Sequence, residues 1–257
     1  MARKQRIDFD DYYRGIFGSR WKGLSESLLS EPRYFALQEG LRKPYYIDEA
    51  SVSAARLLDA SSGDRILDLC AAPGGKTLVL AGSIGGEGLL IANDRSSARR
   101  ARLKRVIEEH LKPDLASRLR ITGHDARRWS LHEREVYDRV LLDVPCSSER
   151  HVIRSAVHKA RWSPVRSRHL AAQAYAMAAS ALDTIRIGGS LLYVTCALSP
   201  LENDGVIERL RKRRADRFSL SPIELPYGEP TELGWLVLPD QAGGRGPIFV
   251  CKLKRTT

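Results

Sequence analysis

The sequence predicts an α/β fold: a mostly parallel, seven-stranded sheet with helices on both faces and one reversed strand, preceded by a short helical extension. Three observations predict it. From Asp48 onward, helical patterns alternate with short apolar runs. Such alternation demands crossover connections, which are right-handed and place helices on both sides of a parallel sheet. The first of these apolar runs ends on the loop CAAPGGKT, immediately before a helical pattern. The next three runs end in or beside aspartates, Asp94, Asp125 and Asp143. Open α/β sheets bind ligands beyond the carboxyl ends of their strands, so loop and carboxylates fall in one crevice.

In chain order, residues 1–48 read as a small helical or irregular preamble ending in the extended stretch KPYYI. DEASVSAARLLDA (48–60) reads as an amphipathic helix. The candidate strands are RILDLC (65–70), GLLIAND (88–94), RLRITGH (118–124), YDRVLLDVP (137–145), SLLYVTC (190–196) and PIFVCKLKR (247–255), with FSLSPIEL (218–225) as one more. Helical patterns fill 76–83, 96–110, 165–187 and 201–215. The turn AGGRGP returns the last strand antiparallel. In SPLE (199–202), Ser199 reads as a helix cap, Pro200 suits the first turn and Glu202 reaches back. The domain division is an extension over 1–48 and a single domain over 49–257.

The 257 residues are 43% hydrophobic and 28% charged, a soluble globular composition. No run of 18 apolar residues exists, so no transmembrane helix and no membrane partner are expected. MARKQRIDFDDYY has no apolar core and carries Asp8, Asp10 and Asp11, which argues against a secretory signal or an acid-poor transit peptide. Cytoplasm is the expected compartment, with the mitochondrial matrix as the alternative. Four scattered cysteines suit a reducing compartment, and no Cys or His spacing resembles a metal site. The net charge of +11 and pI of about 9.7 point to an anionic partner, nucleic acid first. The charge is clustered in RSSARRARLKR (95–105), RLRITGHDARR (118–128) and RKRRADR (211–217). Trp21, Trp129 and Trp162 lie near basic residues; that arrangement suits RNA, although tryptophan is more often core.

The loop 70–76 is not a nucleoside-triphosphate loop, since Cys70 stands where GxxxxGK[ST] needs a glycine, and it is not GxGxxG. Gly74 and Gly75 let the backbone approach a ligand closely, and Lys76–Thr77 opens a helix. Asp94 follows about 20 residues later, where a carboxylate accepts both hydroxyls of a ribose. A single strand-end aspartate is as often a cap or turn residue. Three of them beside a glycine loop describe a ribose, an adenine amino group and a charged amino-acid moiety, together S-adenosylmethionine.

Cys146 follows the fourth strand in DVPCSS, and Cys196 ends the fifth in YVTCALS. Adjacent central strands bring both thiols to the donor crevice, whereas Cys251 inside the last strand reads as a small buried hydrophobe. A thiolate beside a methyl donor suits methylation of cytosine at carbon 5. That carbon is a poor nucleophile until sulfur adds to carbon 6 and turns the ring into an enamine. Asp143 is placed to protonate ring nitrogen 3, and Lys76 to lower the thiol pKa. The residues alone leave open which thiol attacks.

DLCAAPGGKT, ANDRSSAR, GHDA, DVPCSS and YVTCALSPLEND, in this order, resemble the motifs of the Nop/Sun family of RNA cytosine-C5 methyltransferases, and PYYIDEASVSAA resembles the stretch before the first of them. The likeness runs from about Pro44 to the C-terminus; DVPCSSERH and GPIFVCKLKR are most similar to the member acting on mitochondrial small-subunit ribosomal RNA. The resemblance implies a Rossmann-like class I methyltransferase. It implies a donor set of Cys70, Ala71, Ala72, Pro73, Gly74, Gly75, Lys76, Asp94, Arg99, Asp125 and Asp143. Asp94 would hold the ribose hydroxyls, Asp125 the adenine edge, and Asp143 would lie between donor and base. Cys196 becomes the nucleophile and Cys146 the residue assisting product release. The family's usual DAPCSG is here DVPCSSERH. With no room seen for an appended RNA-binding domain, recognition would fall to the basic surface, a partner protein or assembled RNA structure. His151, Lys159, Arg161 and Trp162 are candidate RNA contacts, and a solvated loop is the equally good reading. Ribosomal RNA is the expected partner of an enzyme expected to be a monomer. Transfer RNA, or an idle methyltransferase fold serving ribosome assembly, are the alternatives.

Overall fold

The computed structural model describes residues 7–257; the first six residues of the expected extension lie outside the described residues. The extension folds as two helices, α1 (Phe9–Phe17) and α2 (Trp21–Leu29). Asp8 caps α1 by accepting the Asp11 amide at 2.8 Å. Phe9, Tyr13, Trp21, Leu24 and Leu28 pack with Val152, Trp162, Leu198 and Leu238 in one buried cluster. A hairpin follows, β1 (Tyr34–Leu37) against β2 (Tyr45–Asp48), with Phe35 opposite Ile47. The extended stretch KPYYI is thus the start of β2. Asp48 caps α3 (Glu49–Arg56), accepting the Ala50 amide at 2.8 Å.

The main sheet is built from β3 (Arg65–Asp68), β4 (Leu89–Asn93), β5 (Leu119–Thr122), β6 (Tyr137–Asp143), β7 (Ile185–Thr195), β8 (Phe218–Ser221), β9 (Glu229–Pro230), β10 (Trp235–Val237) and β11 (Ile248–Arg255). Between the parallel strands run α4 (Gly75–Ser83), α5 (Ser97–His110) and α6 (Pro113–Ala116), then α7 (Glu149–Ile153), α8 (Ala156–Arg161) and α9 (Pro164–Thr184); α10 (Asp204–Arg214) follows β7. The order is β5-β4-β3-β6-β7-β11-β10-β9, with β8 also on β11. The first five are mutually parallel, and β11 is reversed against β7 with Val250 opposite Val194. The expected reversed strand is therefore present and sits next to the parallel block.

The sheet has nine strands rather than seven. The far side of β11 is shared, β10 pairing with Ile248–Val250 and β8 with Lys252–Arg255. The two additional strands, β9 and β10, come from a short stretch rich in turn residues, too brief for a period-two pattern to register.

Successive residues on the central strands face opposite layers. Ile66, Leu90, Leu141 and Leu192 pack under α3, α4 and α5. Leu67, Ile91, Leu142 and Tyr193 pack under α9 and α10. Burial on both faces explains why these strands read as continuous apolar runs. Trp21, Trp129 and Trp162 are all buried, so of the two readings the sequence offered it is the core one that holds; each is filling core volume.

The helix start at SPLE also differs. Residues 199–203 form turns, α10 begins at Asp204, and Glu202 does not reach back. Its carboxylate instead accepts the buried Ser147 amide at 2.8 Å, a donor that would otherwise lack a partner. Among the described residues no helix is long and apolar enough to cross a membrane.

Candidate active site

The carboxyl ends of β3, β4, β5 and β6 converge on the loop 70–76. Asn93, at the end of β4, ties them: its amide nitrogen donates to the Leu69 and His124 carbonyls at 3.0 Å each, and its oxygen accepts the His124 amide at 2.8 Å. Asp68, buried at the end of β3, accepts from the Thr77 hydroxyl at 2.7 Å, and burial pushes its pKa up to about 7.

The two loop glycines have distinct physical reasons. Gly74 adopts φ +122°, where a side chain is strained. A Cβ on Gly75 would lie 2.6 Å from Ile47 Cδ1. Close approach at Gly75 is therefore also to the β2 hairpin, while its backbone lines the second loop cavity described below. Gly74 packs toward Leu103 and Val106 of α5.

Two cavities flank this loop and share Cys70. The first, of about 170 Å³, is lined by Asp94, Arg99, Asp125 and Met177 among others. Asp94 is 5% exposed; its Oδ1 accepts the Ser96 amide at 2.9 Å, while Oδ2 has no hydrogen-bond partner among the described residues. Arg99 places Nε 3.3 Å from that carboxylate and donates to the Ala72 carbonyl, linking β4 to the loop. Asp125 accepts from Arg127 side chain and backbone, and these bonds hold its pKa down to about 2. The second cavity, of about 220 Å³, is lined by Ala71, Ala72, Pro73, Gly75, Lys76 and Asp143, with Asp68. Asp68 Oδ1 is likewise buried without a partner. Buried carboxylate oxygens on both sides of the loop, Asp94 Oδ2 with only the Arg99 ion pair and Asp68 Oδ1 with no partner among the described residues, suit a ligand bearing hydroxyls and a cationic amine, as S-adenosylmethionine does. Cys70 points toward Met177, 3.9 Å between sulfurs, and burial pushes its thiol pKa up.

The two strand-end thiols meet. Cys146 and Cys196 bring their sulfurs to 2.9 Å, and the Cys196 amide donates to Cys146 Sγ at 3.3 Å. Ser148 Oγ lies 3.1 Å from Cys196 Sγ. Cys196, Lys76, Asp143, Asp48 and Arg150 line one cavity of about 310 Å³. Lys76 and Asp143 also line the second loop cavity, so the two spaces meet at this pair. Lys76 Nζ stands 2.7 Å from Asp143 Oδ2; burial works against its charge, but the carboxylate outweighs it and the ammonium is held above its usual range. The Cys196 thiol is lowered, first by its bond with the Cys146 thiol, against burial, then by Ser148, with a smaller contribution from Lys76. Cys146 is raised in turn and opens on a neighbouring cavity. Cys251 is buried and donates to the Leu233 carbonyl at 3.0 Å.

Residues 55–254 match the family described as 16S rRNA methyltransferase RsmB/F. The chain belongs to this family. The Nop/Sun likeness of the ordered motifs is thereby confirmed. The bovine 5-cytosine rRNA methyltransferase NSUN4 is 34% identical over 236 residues, 85% of this chain and 61% of that protein. Ribosomal RNA small subunit methyltransferase F of Shigella dysenteriae is 32% identical over 225 residues, 85% of this chain and 46% of that protein. The chain thus spans 46–61% of the length of these relatives. The crystal structure of PH0851 shares the fold, with a TM-score of 0.82 at 23% identity over 95% of this chain and 65% of that one.

In this RsmB/F chain the thiol loops are held by residues the sequence reading passed over. Glu149 is fully buried and accepts from Tyr13 Oη at 2.5 Å, from Ser147 Oγ, and from the Leu198 amide at 2.8 Å. One carboxylate therefore joins the Cys146 loop, the Cys196 loop and α1. Burial, with the nearby Glu149 charge, pushes Glu202 up to about 7. The signal was the single glutamate after DVPCSS, which beside two serines and before Arg150 and His151 looks like ordinary surface. Of the candidate RNA contacts, His151 and Arg161 line the cavity beside Cys146. Lys159 pairs with Asp10 at 2.6 Å, and Trp162 is buried against Phe9 with ring centroids 5.3 Å apart, so neither is a free loop contact.

Proposed function

We propose that this protein is an S-adenosylmethionine-dependent RNA (cytosine-5-)-methyltransferase acting on ribosomal RNA. The observation that carries the reading is Cys196, its sulfur held by Cys146 and Ser148, sharing a cavity with the Lys76–Asp143 pair that also borders the loop cavity. Catalysis begins as the Cys196 thiolate adds to carbon 6 of an unstacked cytosine and an electron pair moves toward carbon 5. Lys76 and Asp143 hold a proton between them beside the sulfur and supply it, as a hydrogen bond or a transfer, to ring nitrogen 3. The bound donor supplies the sulfonium methyl group that carbon 5 takes. After the carbon 5 proton is lost to water, its electron pair forms the carbon 5–carbon 6 double bond as the bond from sulfur to carbon 6 breaks; the Cys146 thiol donates to the departing thiolate, and the nitrogen 3 proton returns to the Lys76–Asp143 pair.

Asp94 is assigned to the donor ribose and Asp125 to the adenine edge, supported by their places in one cavity. Residues 49–257 are assigned to catalysis, with the preceding residues bracing them. The basic face of α5, with Arg102, Lys104 and Arg105 exposed and Arg95 exposed just before the helix, supports RNA phosphates as the partner. Bovine and bacterial relatives over the same share of the chain support small-subunit ribosome assembly as the setting, in the mitochondrial matrix or bacterial cytoplasm according to host. The protein is assigned as a monomer that meets its target in partly assembled RNA.

Incubation with methyl-labelled donor and total RNA tests this reading. Label is expected as 5-methylcytosine in small-subunit ribosomal RNA and absent with Cys196→Ser. Label confined to transfer RNA would replace the substrate, and no label from the intact protein would overturn the activity.

A further inference from the structure

Ser148 occupies a conformation that serine avoids. Its φ is +58° and ψ 59°, left-handed, immediately before α7. A glycine would take this backbone without strain, and the usual DAPCSG has glycine at the corresponding place. What the serine adds is one hydroxyl, and that hydroxyl lies 3.1 Å from Cys196 Sγ.

We propose that Ser148 stabilises the Cys196 thiolate by donating its hydroxyl hydrogen to the sulfur, and that the left-handed backbone is what delivers it there. Three features hold the geometry. Glu149 takes the Ser147 hydroxyl and the Leu198 amide, Glu202 takes the Ser147 amide at 2.8 Å, and both cysteine loops are thereby fixed on either side of residue 148. Ser148 also lines the cavity of Cys196 and the cavity of Cys146, forming the wall between them. The other groups facing the sulfur are the Cys146 thiol and the Lys76–Asp143 pair, with Asp48, Arg150, His151 and Arg154 lining the same cavity. That pair is internally matched at 2.7 Å, so its two charges largely offset each other at Cys196. Neutral donors, Cys146 and Ser148, are left to carry most of the stabilisation, in keeping with the lowered thiol.

The inference deepens the assignment of Cys196 as nucleophile and rests on it, but its test needs neither RNA nor donor. Iodoacetamide alkylation of Cys196, followed by peptide mass spectrometry across pH, is compared for the intact protein, Ser148→Gly and Ser148→Ala. Both variants are expected to shift the alkylation profile to higher pH and to lower the rate at neutral pH about tenfold. Ser148→Gly is expected to raise the melting temperature, because it relieves the left-handed backbone, while Ser148→Ala does not. This opposition of stability and reactivity separates a thiolate-stabilising hydroxyl from a merely structural one. Profiles of both variants overlaying the intact protein would overturn the proposal. So would a fall in melting temperature of both without a change in profile. An intact protein that never methylates RNA, yet shows these shifts, would defeat the proposed activity and leave the hold of Ser148 on the sulfur standing.

Discussion

The sulfur of Cys146 lies 2.9 Å from that of Cys196, and it approaches from a different cavity. Cys196 faces the cavity of the Lys76–Asp143 pair, and Cys146 stands behind it on the neighbouring cavity. The same contact accounts for opposite shifts, Cys196 down and Cys146 up.

Cys146→Ala removes that donor from a leaving thiolate. The variant is expected to accumulate a covalent protein–RNA adduct, visible as a slow band on a denaturing gel. It is also expected to alkylate more slowly at Cys196 near neutral pH. Absence of the band with active RNA would refute the division of labour between the thiols.

Asp94→Asn keeps the shape of a buried side chain and removes the charge from an oxygen whose neighbour is the Arg99 guanidinium at 3.3 Å. Donor affinity measured by calorimetry is expected to fall about tenfold or more, by the loss of one or two charge-assisted bonds worth about 1.5–3 kcal/mol each. RNA affinity is expected to stay put; unchanged donor affinity would remove Asp94 from the donor site.

Glu202 carries a pH signature. Its pKa rises from 4.5 to about 7, so the folded chain holds this proton more tightly than the unfolded chain does. The resulting stability is fully present below about pH 4.5 and is lost as pH rises through about 7. Glu202→Gln keeps an oxygen for the Ser147 amide and never ionises. Its melting temperature is expected to gain on the intact protein between pH 5 and pH 8, by the equivalent of about 1–3 kcal/mol. A difference that is the same at both pH values would count against a buried, raised carboxyl.

Arg102 and Arg105 lie exposed on α5. If they contact phosphates, Arg102→Ala with Arg105→Ala should reduce the slope of log affinity for RNA against log salt by about 2. An unaltered slope would return this face to ordinary solvated surface.

The parallel block was legible because its strands are buried on both sides and its loop composition is unusual. RILDLC, YDRVLLDVP and YVTC marked the strand ends, and the site followed from what stood there. The edge beyond β11 was not legible, since Glu229–Pro230 and Trp235–Val237 gain their strand character from neighbours rather than from a pattern of their own. Gly75 shows a different limit. Its lack of a side chain reflects Ile47, a contact between β2 and the loop that no local reading reveals. Trp162 misled for the same reason, its basic flanks being visible and its partner Phe9 lying far off in the chain. Ser148 and Glu149 stood in plain view, but only the folded geometry shows one reaching the sulfur and the other tying two loops.

The phenol of Tyr13 ends on the carboxylate that secures the loop after Cys196. Helix α1 is therefore wired to the chemistry across 136 positions of sequence. Trimming the first thirty residues to obtain a tidier domain would leave the buried Glu149 side chain short of one donor, and the two sulfurs would lose a strut. Any preparation meant to report true turnover must keep that helix.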